Sequence, residues 1–221
     1  RVGGTWIQQQ QLKASDAAAF DQFGQAVSIS GNRVLIGANG NSDAGSSSGS
    51  AYIFRRDGTY WVQEAKLTAG SAQAAAQFGW SVGLSGDYAL VGAFAQDHVA
   101  TDAGSVYVFH YSGGAWTQTQ QVNASDPHAT DVFGWSVSVS GDYAIVGAMR
   151  DDAPGTDSGA AYILFNNAGT WGQVAKLTAA DAAAGDYFGY AVSMSGSRAV
   201  IGALGEDAGG ADSGSAYVFY K

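Results

Sequence analysis

The chain contains no cysteine, two prolines and only ten lysines and arginines in 221 residues. Without cysteine there is no disulfide framework, no thiolate zinc site and no cysteine nucleophile. Secretion remains open, because a chain that is 46% hydrophobic has enough core material to fold without staples. Charge is scarce at 13%, and ten basic against nineteen acidic residues leave a net charge of −9. That balance disfavours nucleic acid or an anionic membrane surface as a partner. No apolar run approaches the roughly 18 residues of a spanning helix, so membrane insertion is not expected. The opening Arg1–Gly4 lacks the apolar core of a signal peptide, so any leader has been removed.

What the chain has in abundance is glycine, 32 residues of it, arranged with a fixed period. Trp6, Trp61, Trp116 and Trp171 each open a copy of one 55-residue pattern. Phe23-Gly24, Phe78-Gly79, Phe133-Gly134 and Phe188-Gly189 follow in phase, and so do Gly37-Ala38, Gly92-Ala93, Gly147-Ala148 and Gly202-Ala203. No linker interrupts the copies, so residues 1–221 read as one domain. A repeat of this length built from short β-like runs points to a propeller or a solenoid.

The third copy shows the unit most clearly. Trp116–Val122 reads as a strand, and Asn123–Val132 as a polar loop. Phe133–Ser140 alternates large and small residues with the period of two that marks a strand with distinct faces. Gly141-Asp142 supplies a hairpin turn, Tyr143–Ala148 a buried strand, and Ala160–Phe165 a fourth after a longer loop. Four antiparallel strands per period make a propeller blade, so the expected fold is an all-β propeller with four blades per chain. Val27, Val82, Val137 and Val192, with Ile29, Leu84, Val139 and Met194, give the Phe-Gly strand a bulky face. Gly24, Ala26, Ser28 and their equivalents give it a small one, so bulky face should meet small face between blades. The chain opens on a tryptophan strand and ends on a tyrosine strand, so the last blade lacks its fourth strand. Pairing Trp6–Leu12 with Tyr217–Phe219 is expected to complete it and to remove two exposed edges.

These phrases resemble the FG-GAP repeat of integrin α-subunit propellers, and more closely that of bacterial FG-GAP proteins with runs such as Lys66–Ala69 and Lys176–Ala179. The resemblance implies a ligand-binding or adhesion module, secreted or displayed at the cell surface. A fungal lectin with a similar propeller adds sugars to the ligand classes. Integrins hold calcium in an acidic loop after the Phe-Gly strand, whereas here that loop shrinks to Ser30–Arg33, Ser85–Tyr88, Ser140–Tyr143 and Ser195–Arg198. One carboxylate at most cannot form a calcium cage, so the integrin site is absent.

Fifteen of the nineteen acidic residues fall instead in the loops after the tryptophan strand and before the tyrosine strand, two sets expected at one end of the blades. One reading is a solvated acidic surface. The other is calcium, held by the Asp-x4-Asp pairs Asp97/Asp102, Asp152/Asp157 and Asp207/Asp212, with Asp16/Asp21, Asp126/Asp131 and Asp181/Asp186 as further oxygens. Trp80, Trp135 and Tyr190 read either as wedges between blades or as stacking platforms for a sugar. His98, His110 and His128 occupy unrelated repeat positions and form no nucleophile or metal motif, so no catalysis is expected. The alternatives are a carbohydrate-active enzyme working through a loop carboxylate pair and a purely structural repeat. Protein or carbohydrate is the expected ligand. A homodimer closing an eight-bladed ring competes with a four-bladed ring that closes on itself.

Overall fold

A computed structural model describes residues 4–221; the extreme start, where the leader was considered, lies outside the described residues at 1–3. The first sheet contains β1 (Val27–Ser30), β2 (Arg33–Ala38), β3 (Ser50–Asp57) and β4 (Tyr60–Leu67). The second contains β5 (Ser81–Ser85), β6 (Tyr88–Ala93), β7 (Ser105–Ser112) and β8 (Ala115–Val122). The third contains β9 (Ser136–Ser140), β10 (Tyr143–Ala148), β11 (Ala160–Asn167) and β12 (Thr170–Leu177). The fourth has three strands, β13 (Phe188–Ser195), β14 (Arg198–Ala203) and β15 (Ser215–Tyr220). All neighbours within a sheet are antiparallel and follow chain order, so each sheet is one blade whose outer strand comes from the next copy.

The inner strand of the third blade is shorter than the alternation from Phe133 suggests. Regular pairing starts at Ser136, and Phe133 makes only an isolated parallel bridge to Gly104 of the preceding blade. The reason lies at Gly134, whose φ of +93° turns the chain between the two blades. Phe78 and Phe188 make the same bridge, to Gly49 and Gly159. Each of these phenylalanines is fully buried, with its ring set edge-on against the tyrosine and phenylalanine strand of its own blade, as Phe78 is against Tyr107 at 5.4 Å.

Between blades the bulky face does meet the small one. A side chain at Gly83 would run into Val137 and Val139 of the next blade. Ser28 and Ser138 donate no bulk but accept the amides of Leu84 and Met194. The rows behind them, Ser28-Leu35-Ile53, Gly83-Leu90-Val108 and Ser138-Ile145-Ile163, form the floor on which the following blade sits. Three backbone bonds reinforce each junction. At the first they run from the amides of Ala75, Gln77 and Phe78 to the carbonyls of Ser46, Ser47 and Ser48.

The expected pairing of Trp6–Leu12 with Tyr217–Phe219 is not made within the chain. Residues 6–12 lie in no strand, Trp6 is 96% exposed, and β15 has no partner on its outer side. The segment lies against the first blade instead, where the Gln10 side-chain amide both donates to and accepts from the backbone of Trp61. Gln120 of β8 grips Trp171 in the same way. Residues 6–12 thus occupy the place of an outer strand belonging to a preceding blade.

Gly147 shows how tight a junction is. A Cβ there would overlap the carbonyl oxygen of Gly189, which is backbone and cannot step aside. Gly147→Ala should therefore destabilise the protein by about 3 kcal/mol in urea denaturation. Gly172→Ala, in a strand position with open space above it, should shift stability by less than about 0.5 kcal/mol.

Candidate functional site

Each inner strand starts, each second strand ends, each third strand starts and each outer strand ends at the same end of its blade. That end therefore gathers both loop sets of every copy, and with them fifteen of the nineteen acidic residues. The buried loop aspartates shape it. Asp21, Asp131 and Asp186 each accept the backbone amide three residues earlier, from Ala18, His128 and Ala183, at 2.7–2.8 Å. Burial pushes the Asp131 carboxyl up to about 6, its His128 amide bond opposing and the neighbouring charge of Asp151 adding to the shift.

The Asp-x4-Asp pairs are loop closures. Asp97, Asp152 and Asp207 accept the backbone amides of Asp102, Asp157 and Asp212 at 2.7–2.9 Å. The second aspartate of each pair sits in the left-handed region, at φ of +51° or +52°. In the first copy Ser42 Oγ accepts the Ser47 amide at 3.0 Å, with Ser47 at +49°. A hydroxyl thus does the same task as a carboxylate, so the position requires an acceptor rather than a charge. Among the described residues no three histidine or acidic side chains converge to hold a metal ion. Each pair by itself falls short of the six to eight oxygens of a calcium shell.

A repeated tyrosine anchors a further cluster that the sequence reading did not single out. In the third blade the Tyr162 hydroxyl donates to Asp126 and Asp151, and Lys176 Nζ reaches both carboxylates at 2.7 Å. Burial opposes ionisation of Asp126, but Lys176 and Tyr162 hold it below the usual carboxylate range. Burial and then Asp151 drive the Tyr162 phenol far up, so it stays a donor. The first blade has a more open version, in which Lys66 joins Asp16 and Asp43 beside Tyr52. The second is neutral, with Ser71, Gln96 and Gln121 around Tyr107 and Ser105. In the fourth blade Tyr217 donates to Asp181, and Ser215 to Glu206, with no cation from an outer strand. Burial, then Asp181, pushes Tyr217 up to about 12. The signal was present as Tyr52, Tyr107, Tyr162 and Tyr217 in one phase of the repeat, with Lys66 and Lys176 in another.

Trp80, Trp135 and Tyr190 come together as an arc at the same end. Trp80 and Trp135 lie 4.7 Å apart, Trp135 and Tyr190 5.8 Å, and Phe94 fills in edge-on against both tryptophans. Their rings bridge blades, and the two tryptophans remain half-buried. The histidines do not join them. His110 stacks on Tyr88, and His128 turns an exposed ring with Nδ1 3.7 Å from Asp131. At the opposite end Arg33 binds Glu64 and Asp87 and lies 3.8 Å over the Tyr111 ring, fastening the first blade to the second.

The FG-GAP repeat model matches the chain four times, over residues 6–54, 61–109, 116–165 and 171–219. No curated protein matches it. Among solved structures, the computationally designed Ika4 protein superposes with a TM-score of 0.53 at 14% identity, covering 98% of this chain and 99% of its own. Sqt1 of Saccharomyces cerevisiae reaches 0.44 at 14% identity, over 72% of this chain and 37% of its own.

The Tyr–Asp–Lys clusters allow a paired comparison. Asp151 is buried to 1% exposure, so Lys176→Met should leave an uncompensated interior charge and cost about 3 kcal/mol. Asp16 and Asp43 are open to water, so Lys66→Met should cost about 1 kcal/mol or less. Urea midpoints of the two variants measure the difference. The loop closures give a second test. Held by hydrogen bonds alone, they should leave the melting temperature equal in millimolar calcium and in chelator, whereas a rise in calcium would show that the carboxylates also gather a cation.

Proposed function

The chain belongs to the FG-GAP repeat family, and from that premise we propose that it is a non-enzymatic binding module, secreted or surface-displayed, whose ligand face is the acidic loop end of the blades. One observation carries this reading. Fifteen of nineteen acidic residues converge on that end, where the cations are Lys13, Arg150 and the two already engaged lysines, Lys66 and Lys176. Such a face attracts a basic segment of a protein partner, and salt weakens the attraction within a Debye length of about 8–10 Å. Adhesion is the role of this kind for which the repeat is suited, because rigid blades hold the loops in fixed positions.

A second reading has its own observation. The half-buried Trp80 and Trp135, aligned beside the acidic loops, offer apolar planes to a sugar. An enzyme reading has less support, since the Asp126–Asp151 pair is tied to Lys176 and Tyr162 rather than left free to exchange a proton.

Immobilised protein probed with arrays of basic peptides and of glycans separates these readings. Peptide capture is expected, falling about tenfold or more between low salt and about 0.5 M salt. Salt-insensitive glycan capture would move the site to the aromatic arc. Turnover of any glycan, or capture of neither class, would contradict the proposal.

A further inference from the structure

The two ends of the chain present the halves of a junction that the chain builds three times internally. On the last blade the row Ser193-Val200-Val218 is open, with Val200 42% and Val218 67% exposed. Its counterparts Leu35, Leu90 and Ile145 are fully covered by the following blade. On the first blade Val27 and Ile29 are 70% and 66% exposed, while their counterparts Val82 and Leu84 are buried to 7% and 4%. Each open face is what the other lacks.

The fine structure agrees. Gly37, Gly92 and Gly147 are each pressed by the carbonyl of the next Phe-Gly pair, but a Cβ on Gly202 would meet nothing closer than 3.7 Å. Around Gly202 lies a groove of 450 Å³ lined by Tyr190, Ala191, Ala203, Gly214 and Ser215. By the repeat phase this is the seat of a Phe-Gly pair, and the unpaired one is Phe23-Gly24. Likewise Gln63, Gln118 and Gln173 accept the amides of Ser15, Gly70 and Ser125 in the preceding copy. Ala180 has no such partner at its phase, and Gln8 is the glutamine left over. The cluster of Tyr217, Asp181 and Glu206 likewise lacks an outer-strand residue, which in phase is Gln11.

We propose that a second copy of this chain docks head to tail, its residues 6–29 completing the fourth blade and covering that blade's open face, and that the two junctions close an eight-bladed ring. Trp6–Leu12 of the incoming copy pairs with β15. Its Gln8 takes the Ala180 amide, and its Gln11 enters the polar cluster as Gln121 does beside Ser105 and Ser71. Its Phe20, Gln22 and Phe23 amides meet the carbonyls of Ala211, Asp212 and Ser213, the positions equivalent to Ala75, Gln77 and Phe78 on Ser46, Ser47 and Ser48. Four blades leave the ends apart in this structure, whereas eight at about 45° each fall within the range of known propellers. Two chains so joined obey a closed two-fold symmetry. This assembly does not depend on which ligand the loop end takes.

Native mass spectrometry with light scattering at micromolar concentration tests it. The expected mass is twice the 22.6 kDa of one chain. Gly202→Ala, which fits the lone chain without a clash, should yield single chains with an unchanged circular dichroism spectrum. Val27→Asp, on the opposite face and solvent-exposed in the lone chain, should do the same. A parent protein of 22.6 kDa, as a ring of four blades closing on itself would give, overturns the proposal. So does an open-ended series of larger masses, or a dimer indifferent to both substitutions.

Discussion

The close approach of each Phe-Gly carbonyl to the glycine floor of the blade before it is the contact on which this structure depends. Glycine at 37, 92 and 147 lets two backbones touch, and that contact fixes the separation of the blades. The bulky residues then have a set depth to fill, met by Val82 and Leu84 over the first blade and by Val137 and Val139 over the second. Wider spacing would leave voids, and the interior tolerates few of them. The phenylalanine of each pair does a second task, closing its own blade edge-on against Tyr107 and Phe109 or their equivalents.

Because the junction is local, its influence spreads to the loops. The same three backbone bonds that seat Phe78 draw the loop before it against the loop before β3 of the preceding blade. The left-handed residues Ala75, Gln77, Ser47 and their equivalents exist to aim those amides and carbonyls. The acidic end is therefore a rigid surface, with its aspartates serving first as acceptors for loop amides and as partners for Tyr162 and Lys176. The charge that remains is available to a ligand because the scaffold has already fixed where it stands.

Much of this was legible in the residues. Period, strand order, the large-to-small packing and the missing fourth strand all follow from local alternation and glycine placement, which depend on near neighbours. The site was less legible. Asp97 and Asp102 look like metal ligands in sequence, but the Asp102 amide, turned by its positive φ, takes the oxygen that a metal would need. The clusters at Tyr162 and Tyr217 join residues 36 apart or more, across one copy and into the next, so no single repeat displays them. Trp80 and Trp135 could be placed on a strand, but their mutual stacking, and the role of Phe94 between them, needed the curvature between blades. The fate of Trp6–Leu12 was also beyond the pattern, which shows that an outer strand is owed but not which chain receives it.

If one junction is used throughout, the amides that seat each Phe-Gly pair should behave alike at every copy, including the first. Hydrogen–deuterium exchange at a concentration where the protein is assembled measures this residue by residue. The amides of Phe20, Gln22 and Phe23 should exchange as slowly as those of Ala75, Gln77 and Phe78 and of Thr130, Val132 and Phe133, which bond across blades within the chain. Fast exchange at Phe20–Phe23 beside slow exchange at the internal copies would contradict the account.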